Sequence, residues 1–233
     1  MSISKPMGGT HANHYFSKDD YYLKDGLKET LWFGKGAQFL GLAGRQVDPK
    51  TFEKIAQGLD LSGNRLIHPG PEGKHTAGFD LTFSAPKSVS ILSTVDGRIL
   101  KAHQEAVKEA LSYLETNYSQ ARITHGKVTT LIRTRNITAT LFPHFTSREL
   151  DPQLHTHGFI MNMTLRPDGN WRALDRGSRE EAGEIYKNQI FLGQIYQKSG
   201  VGRNFPTPQG RFTALKNGSW SASMPQRICM SQF

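Results

Sequence analysis

Leu154-His155-Thr156-His157-Gly158-Phe159 places two histidines one residue apart in a run with the composition of a β-strand. Side chains alternate faces along a strand, so both imidazoles project from one side and can share a metal ion. A lone His-x-His pair more often packs or caps as two separate residues, and a third histidine reverses that balance. His144 lies near the end of the preceding predicted strand, and Thr146-Ser147-Arg148-Glu149-Leu150-Asp151-Pro152-Gln153 has the length that turns an antiparallel hairpin. The three rings then converge. Three neutral imidazoles leave an open coordination position, the pattern of a catalytic rather than a structural site. Imidazole suits zinc, manganese, nickel or copper, so these ligands define a divalent ion without selecting one.

Asp80 sits between Phe79 and Leu81 in a second predicted strand. A carboxylate there orients a ligand histidine, accepts a proton, or is no more than a capped strand residue. Tyr15 and the pair Tyr21-Tyr22 serve equally as aromatic anchors of the N-terminal segment or as nucleophiles, since a phenol beside a divalent ion can attack a polarised phosphate. Gly70-Pro71-Glu72-Gly73-Lys74-His75-Thr76 superficially resembles a phosphate-binding loop, but position 68 is His where that motif needs its first Gly. An NTPase site is excluded. Lys87, Arg122, Arg133, Arg135 and Arg148 fall near predicted strand ends, where they can track a nucleic-acid backbone or simply be solvated.

These residues need a sheet to hold them. Gly78-Phe79-Asp80-Leu81-Thr82-Phe83 alternates apolar and polar side chains with the period of a half-buried strand, and Pro86 follows where a helix can start. Residues 127–133, 136–145 and 154–164 are rich in Thr, Ile, Leu, Val and Phe and are predicted to form an antiparallel meander. Between 99 and 118, Ala102, Ala106, Val107, Ala110, Leu111, Leu114 and Tyr118 recur at helical spacing and predict a helix packed on that sheet. Residues 179–198 return to helical spacing, Asp48-Pro49 starts a short helix, the cluster 14–22 reads as helical, and 60–76 reads as a long loop. Residues 202–233 have weak periodicity.

The chain has 233 residues, 36% hydrophobic and 21% charged, which suits a folded core and excludes global disorder. Lys and Arg number 29 against 20 acidic residues, a formal charge of +9 that favours a polyanionic partner such as DNA or RNA. With a single cysteine, Cys229, neither an intrachain disulfide nor a Cys-rich zinc site is available, so histidine and carboxylate must hold any metal. No apolar stretch has the length of a signal peptide or a membrane span, and a cytoplasmic protein without membrane insertion is expected.

Taken together, Tyr15-Phe16 with Tyr21-Tyr22, Trp32-Phe33-Gly34-Lys35-Gly36-Ala37 with Leu40-Gly41-Leu42, Phe79-Asp80-Leu81-Thr82-Phe83-Ser84-Ala85-Pro86-Lys87-Ser88-Val89-Ser90, and Thr146-Ser147-Arg148 leading to Pro152-Gln153-Leu154-His155-Thr156-His157 resemble the signatures of a known family. It is the N-terminal relaxase domain of conjugative plasmid transfer proteins of the MobF type, within the HUH endonucleases. The resemblance runs from about the first residue to about Gly200, which implies a relaxase domain over 1–200 and a divergent or truncated tail over 201–233. It implies an α+β fold in which a central antiparallel sheet flanked by helices carries the histidines. The implied activity is nicking and transfer of one DNA strand at an origin of transfer. Tyr15 attacks the scissile phosphate and becomes linked to the 5′ end, Tyr21 or Tyr22 serves a second transfer, and Asp80 assists beside the metal histidines His144, His155 and His157. The implied cofactor is one divalent ion, Mg or Mn in the cell with Zn or Ni as alternatives. Implied partners are single-stranded DNA, relaxosome accessory proteins and a coupling protein, with Lys87, Arg133, Arg135 and Arg148 on the DNA.

Departures from the pattern carry their own expectations. Phe16 stands where relatives often have a second tyrosine, leaving Tyr15 alone at the first site. Gly210-Arg211-Phe212 fits the family, whereas 220–233 looks unrelated, as a frame-shifted or truncated end would. The helicase portion usual in full-length members is absent from this sequence. The competing reading is a noncatalytic single-stranded-DNA-binding remnant. A rolling-circle replication initiator is disfavoured because its tyrosine usually follows the histidine pair, and here Tyr15 precedes it.

Overall fold

The computed structural model describes residues 1–8, 29–69, 75–126, 128–147, 149–177 and 183–202. Its central sheet is antiparallel, in the order β1 (Ser2–Ile3), β4 (Thr76–Ser84), β8 (Pro152–Met161), β7 (Ala139–Thr146), β3 (Leu31–Phe33), with β2 (Met7–Gly8) also on β4. The three long strands fall where the sequence predicts them, from alternation at 78–83 and from β-rich composition at 136–145 and 154–164. Their pleat divides the side chains between two faces, each with its own core.

On one face Phe79, Leu81 and Phe83 of β4, Leu141 of β7 and Ile160 of β8 meet the long helix α4 (Gly97–Tyr118) and the C-terminal helix α6 (Gln189–Gly202). Asp96 caps α4 by accepting from Arg98 N–H, and Ala106, Val107, Ala110, Leu111 and Leu114 form its buried stripe. On the other face Phe142, Phe159 and Met161 pack against Trp32 and the short helix α2 (Pro49–Ala56), through Phe52 and Ile55. The expected start of α2 is present, with Asp48 accepting from Thr51 N–H at 2.8 Å and Pro49 in the first turn. Helices thus flank the sheet on both sides. The short helices α1 (Lys35–Phe39), α3 (Lys87–Ser93) and α5 (Glu184–Lys187) complete the described helices.

Several details correct the expectation. Residues 128–133 do not join the meander: β6 (Val128–Arg133) pairs with β5 (Gln120–His125), a strand the sequence reading left unassigned, in a separate two-stranded ribbon. β6 is almost wholly exposed, so its β-branched composition reflects a solvated ribbon and not a place in the core. The place beside β7 is taken by β3. Arg135, at φ 55°, turns the chain out of the ribbon, and the Asn136 side-chain amide donates to the carbonyls of Thr134 and Leu165 to hold that turn. The single helix expected over 179–198 is broken at Asn188, whose side chain bonds back to the Glu184 carbonyl. A last two-stranded piece joins β9 (Thr164–Leu165) to β10 (Trp171–Arg172). The expected helix at 14–22 and the tail beyond 202 lie outside the described residues.

Candidate metal centre

Period-two alternation puts His144 of β7 and His155 and His157 of β8 on the α2 face of the sheet, together with Asp80 and Thr82 of β4. His144 pairs in register with His155, Phe142 with His157, and Thr82 with His157 from the other side. The expected hairpin therefore closes: Ser147 N–H donates to the Asp151 carbonyl at 2.8 Å, and the Ser147 hydroxyl accepts from Glu149 and Asp151. The ring centroids of His144 and His155, His144 and His157, and His155 and His157 are 5.1, 5.3 and 5.1 Å apart.

Hydrogen bonds select which nitrogen each β8 histidine presents. His157 Nδ1 lies 2.7 Å from Asp80 Oδ2, and His155 Nδ1 lies 2.9 Å from the Gln153 carbonyl. Carboxylate and carbonyl oxygens only accept, so both rings carry their proton on Nδ1, and in the neutral ring Nε2 keeps its lone pair for a ligand. Asp80 is itself fixed. The Thr82 hydroxyl donates to Asp80 Oδ2 at 2.9 Å, and the Asp80 backbone exchanges hydrogen bonds with Ser4. Asp80 Oδ1 is buried and has no hydrogen-bond partner among the described residues. Burial, reinforced by the charges His157 and His155 would carry, pushes the His144 pKa down to about 3. Burial also lowers that of His155, against the opposing pull of the Gln153 carbonyl. Neutral imidazole is the form a cation requires.

The donor set fits a divalent ion. Imidazoles bound through nitrogen at about 2.0–2.1 Å keep their centroids roughly 5 Å apart at tetrahedral or octahedral angles, the spacing seen here. His144 and His155 lie within 20° of parallel, and among the described residues no three His, Cys, Asp or Glu side chains are already closed around one point. Closing around an ion asks for rotation of rings about soft terminal torsions, while the strands stay where they are.

Other predicted site residues are dispersed. Lys87, at the start of α3, stands 3.9 Å from Asp151 beside the hairpin, with both side chains exposed. Arg133 and Arg135 are exposed at the base of the ribbon, before β7 begins at Ala139; His144 is five residues, roughly 17 Å, further along that strand. Arg122 pairs with Asp175, whose buried carboxylate it meets at 2.7 Å, and its own side chain stays half exposed. Tyr15, Tyr21, Tyr22 and Arg148 lie outside the described residues. Two partners went unread in the sequence. Thr82, two residues after Asp80 on the same face, is a partner that period-two spacing could have supplied; the Gln153 carbonyl carries no side-chain signal at all.

A family profile described as TrwC relaxase matches residues 9–199 of this chain, a span that contains His144, His155, His157, Asp80 and Thr82. The chain belongs to the TrwC relaxase family. Among members, the multifunctional conjugation protein TraI of Escherichia coli (strain K12) is 37% identical over 205 residues, 85% of this chain and 11% of TraI. The chain thus spans about a tenth of the length of the curated relatives it matches. Conjugative relaxase TrwC in complex with oriT DNA superposes with a TM-score of 0.78 at 37% identity, covering 95% of this chain and 75% of that one. That structure is copper-bound, and a second, metal-bound structure of TrwC with oriT DNA gives a TM-score of 0.78 at 34% identity, covering 97% and 77%. The antiparallel sheet with flanking helices described here is thus the TrwC relaxase fold.

Proposed function

We propose that this chain is a divalent-metal-dependent relaxase that nicks one DNA strand at an origin of transfer and hands the cut end on through a tyrosine-linked intermediate. The observation that carries the reading is the cluster of three imidazoles at ligand spacing, His144 and His155 buried and His157 partly buried and fixed by Asp80. The TrwC structures, bound to oriT DNA and described as copper-bound in one case and metal-bound in the other, support it. Residues 1–200 form the relaxase unit on this reading, and 201–233 a divergent tail.

His144, His155 and His157 would hold the ion, Mg or Mn, whose contribution when bound is Lewis-acid polarisation of the scissile phosphate. The chain supplies the rest. Tyr15 Oη forms a bond to phosphorus, the bond from phosphorus to the 3′ oxygen breaks, and that oxygen leaves as a free hydroxyl while the 5′ end stays on the tyrosine. Because one phosphoester replaces another, the exchange is reversible without an energy source. Asp80 Oδ2 orients His157, and its buried Oδ1 would take the phenol proton and return it to the leaving 3′ oxygen. Tyr21 or Tyr22 takes the second transfer. Lys87, Arg133, Arg135 and Arg148 neutralise phosphates of single-stranded DNA. Relaxosome accessory proteins and a coupling protein complete the assembly in the cytoplasm. Among the described residues no helix is long and apolar enough to cross a membrane.

The test is incubation of the protein with Mg²⁺ or Mn²⁺ and a 3′-end-labelled single-stranded origin oligonucleotide, followed by denaturing electrophoresis. A slow covalent band should form with the wild type and vanish in Tyr15→Phe and on chelation. Binding without any adduct would instead make the chain a noncatalytic DNA-binding remnant.

A further inference from the structure

A buried polar chain crosses the core behind the histidine cluster. Alternation along β8 turns the Thr156 side chain away from the face that carries His155 and His157, into the layer under α4 and α6. There Thr156 Oγ1 lies 2.8 Å from His103 Nε2, and His103 Nδ1 lies 2.8 Å from the Tyr196 hydroxyl. All three are buried, with exposures of 3%, 2% and 5%. The His103 ring meets Tyr196 edge-on at 5.5 Å, and Tyr196 packs on Phe83.

Burial holds His103 neutral, with a pKa lowered to about 3, so the ring has one N–H and one lone pair. The hydrogen bonds then run in one direction through the three residues, whichever tautomer is present. An apolar trio would fill the same volume. What the polar trio adds is a condition on register: slipping β8 by one residue would send Thr156 to the metal face and both histidines toward the helices, leaving a buried ring nitrogen without its partner. The layer behind the site thus rewards only the register in which the two histidines face forward.

We propose that His103 is a positioning residue for the metal cluster, holding the turn of chain between His155 and His157 through Thr156 and coupling it to α6 through Tyr196. The inference rests on the reading of His155 and His157 as metal ligands. It makes metal affinity depend on two hydroxyls that no ion touches, and on the docking of α6.

The test uses the full chain and Co²⁺ as probe, reading affinity by titration and ligand geometry from the visible absorption bands, with the thermal midpoint measured separately in chelator. Thr156→Val and Tyr196→Phe keep shape and remove only the hydroxyls. Thr156→Val should weaken Co²⁺ binding tenfold or more and shift the bands, Tyr196→Phe should act in the same direction, and the double variant should fall short of the product of the two. His103→Gln, able to donate and accept, should stay closer to wild type than His103→Leu. Unchanged affinity and bands with only a lowered midpoint would reduce the trio to packing and overturn the proposal. A wild type that binds no Co²⁺, or a His157→Ala variant that binds as well as wild type, would remove the metal reading itself and the proposal with it.

Discussion

At the scale of single residues, the contact between His157 and Asp80 decides the most, because it fixes both the tautomer and the orientation of a ring in the cluster. Asp80→Asn keeps the shape and removes the charge, so Mn²⁺ affinity measured by calorimetry should fall by about 10- to 100-fold with the fold intact. Unchanged affinity would detach Asp80 from the site. His103 makes a separate prediction about acid stability. A histidine with a folded pKa near 3 takes up its proton more readily in the unfolded chain. Its neutral form therefore favours folding fully above about pH 6.5, and that advantage is lost progressively as pH falls toward 3. At pH 5 the loss from His103 is about 2 kcal/mol, and urea unfolding of His103→Gln at pH 7 and pH 5 should show a pH dependence smaller by that amount. Much at this scale was legible: the one-residue spacing of His155 and His157 predicts a shared face, and Asp80 in an apolar strand stands out. The second layer was not. The bond from His103 to Thr156 does not follow from local spacing, because it depends on which helix lies alongside β8, whereas the Thr82 hydroxyl is two residues from Asp80 on one strand face and is missed only because a threonine in a strand is commonplace.

Among elements, the β7–β8 hairpin does the positioning, and its tip carries a cost. Leu150 sits at φ 65° with its side chain 77% exposed, so a left-handed backbone is imposed on a residue that gains little burial in return. Leu150→Gly should raise stability in urea by about 0.5–1 kcal/mol, relief that would fail to appear if the side chain had a folded-state role. The hairpin, the 99–118 helix and the strand over 78–83 were legible because long elements repeat their period several times. The sheet order was not. Strands as short as Ser2–Ile3 and Leu31–Phe33 have no period to read, yet they stand at the two ends of the sheet order, and Ser4, just past the first, bonds the backbone of Asp80. The ribbon of β5 and β6 misled for the opposite reason, since exposed Thr, Val and Leu look like a core strand when tertiary contacts are unseen.

For the molecule as a whole, the charge of +9 favours a polyanion, as the proposed function requires. Fluorescence anisotropy with single-stranded DNA should show log affinity falling linearly with log salt between about 50 and 200 mM, by roughly 0.7 per phosphate neutralised. Arg135→Ala should lower that slope by about one contact, and a salt-independent affinity would exclude backbone neutralisation as the source of binding. The fold also imposes an order in time on the site. His144, His155 and His157 share one hairpin and need only a short loop to close before they meet. Asp80 reaches His157 from 77 residues earlier, so it arrives by long-range sheet closure, a slower event. Within the hairpin the Gln153 carbonyl already orients His155, and the carboxylate that orients His157 arrives only when β4 docks. On the proposed reading of these histidines as ligands, an ion meets the fully oriented set only after the long-range pairing of β4 with β8 is made.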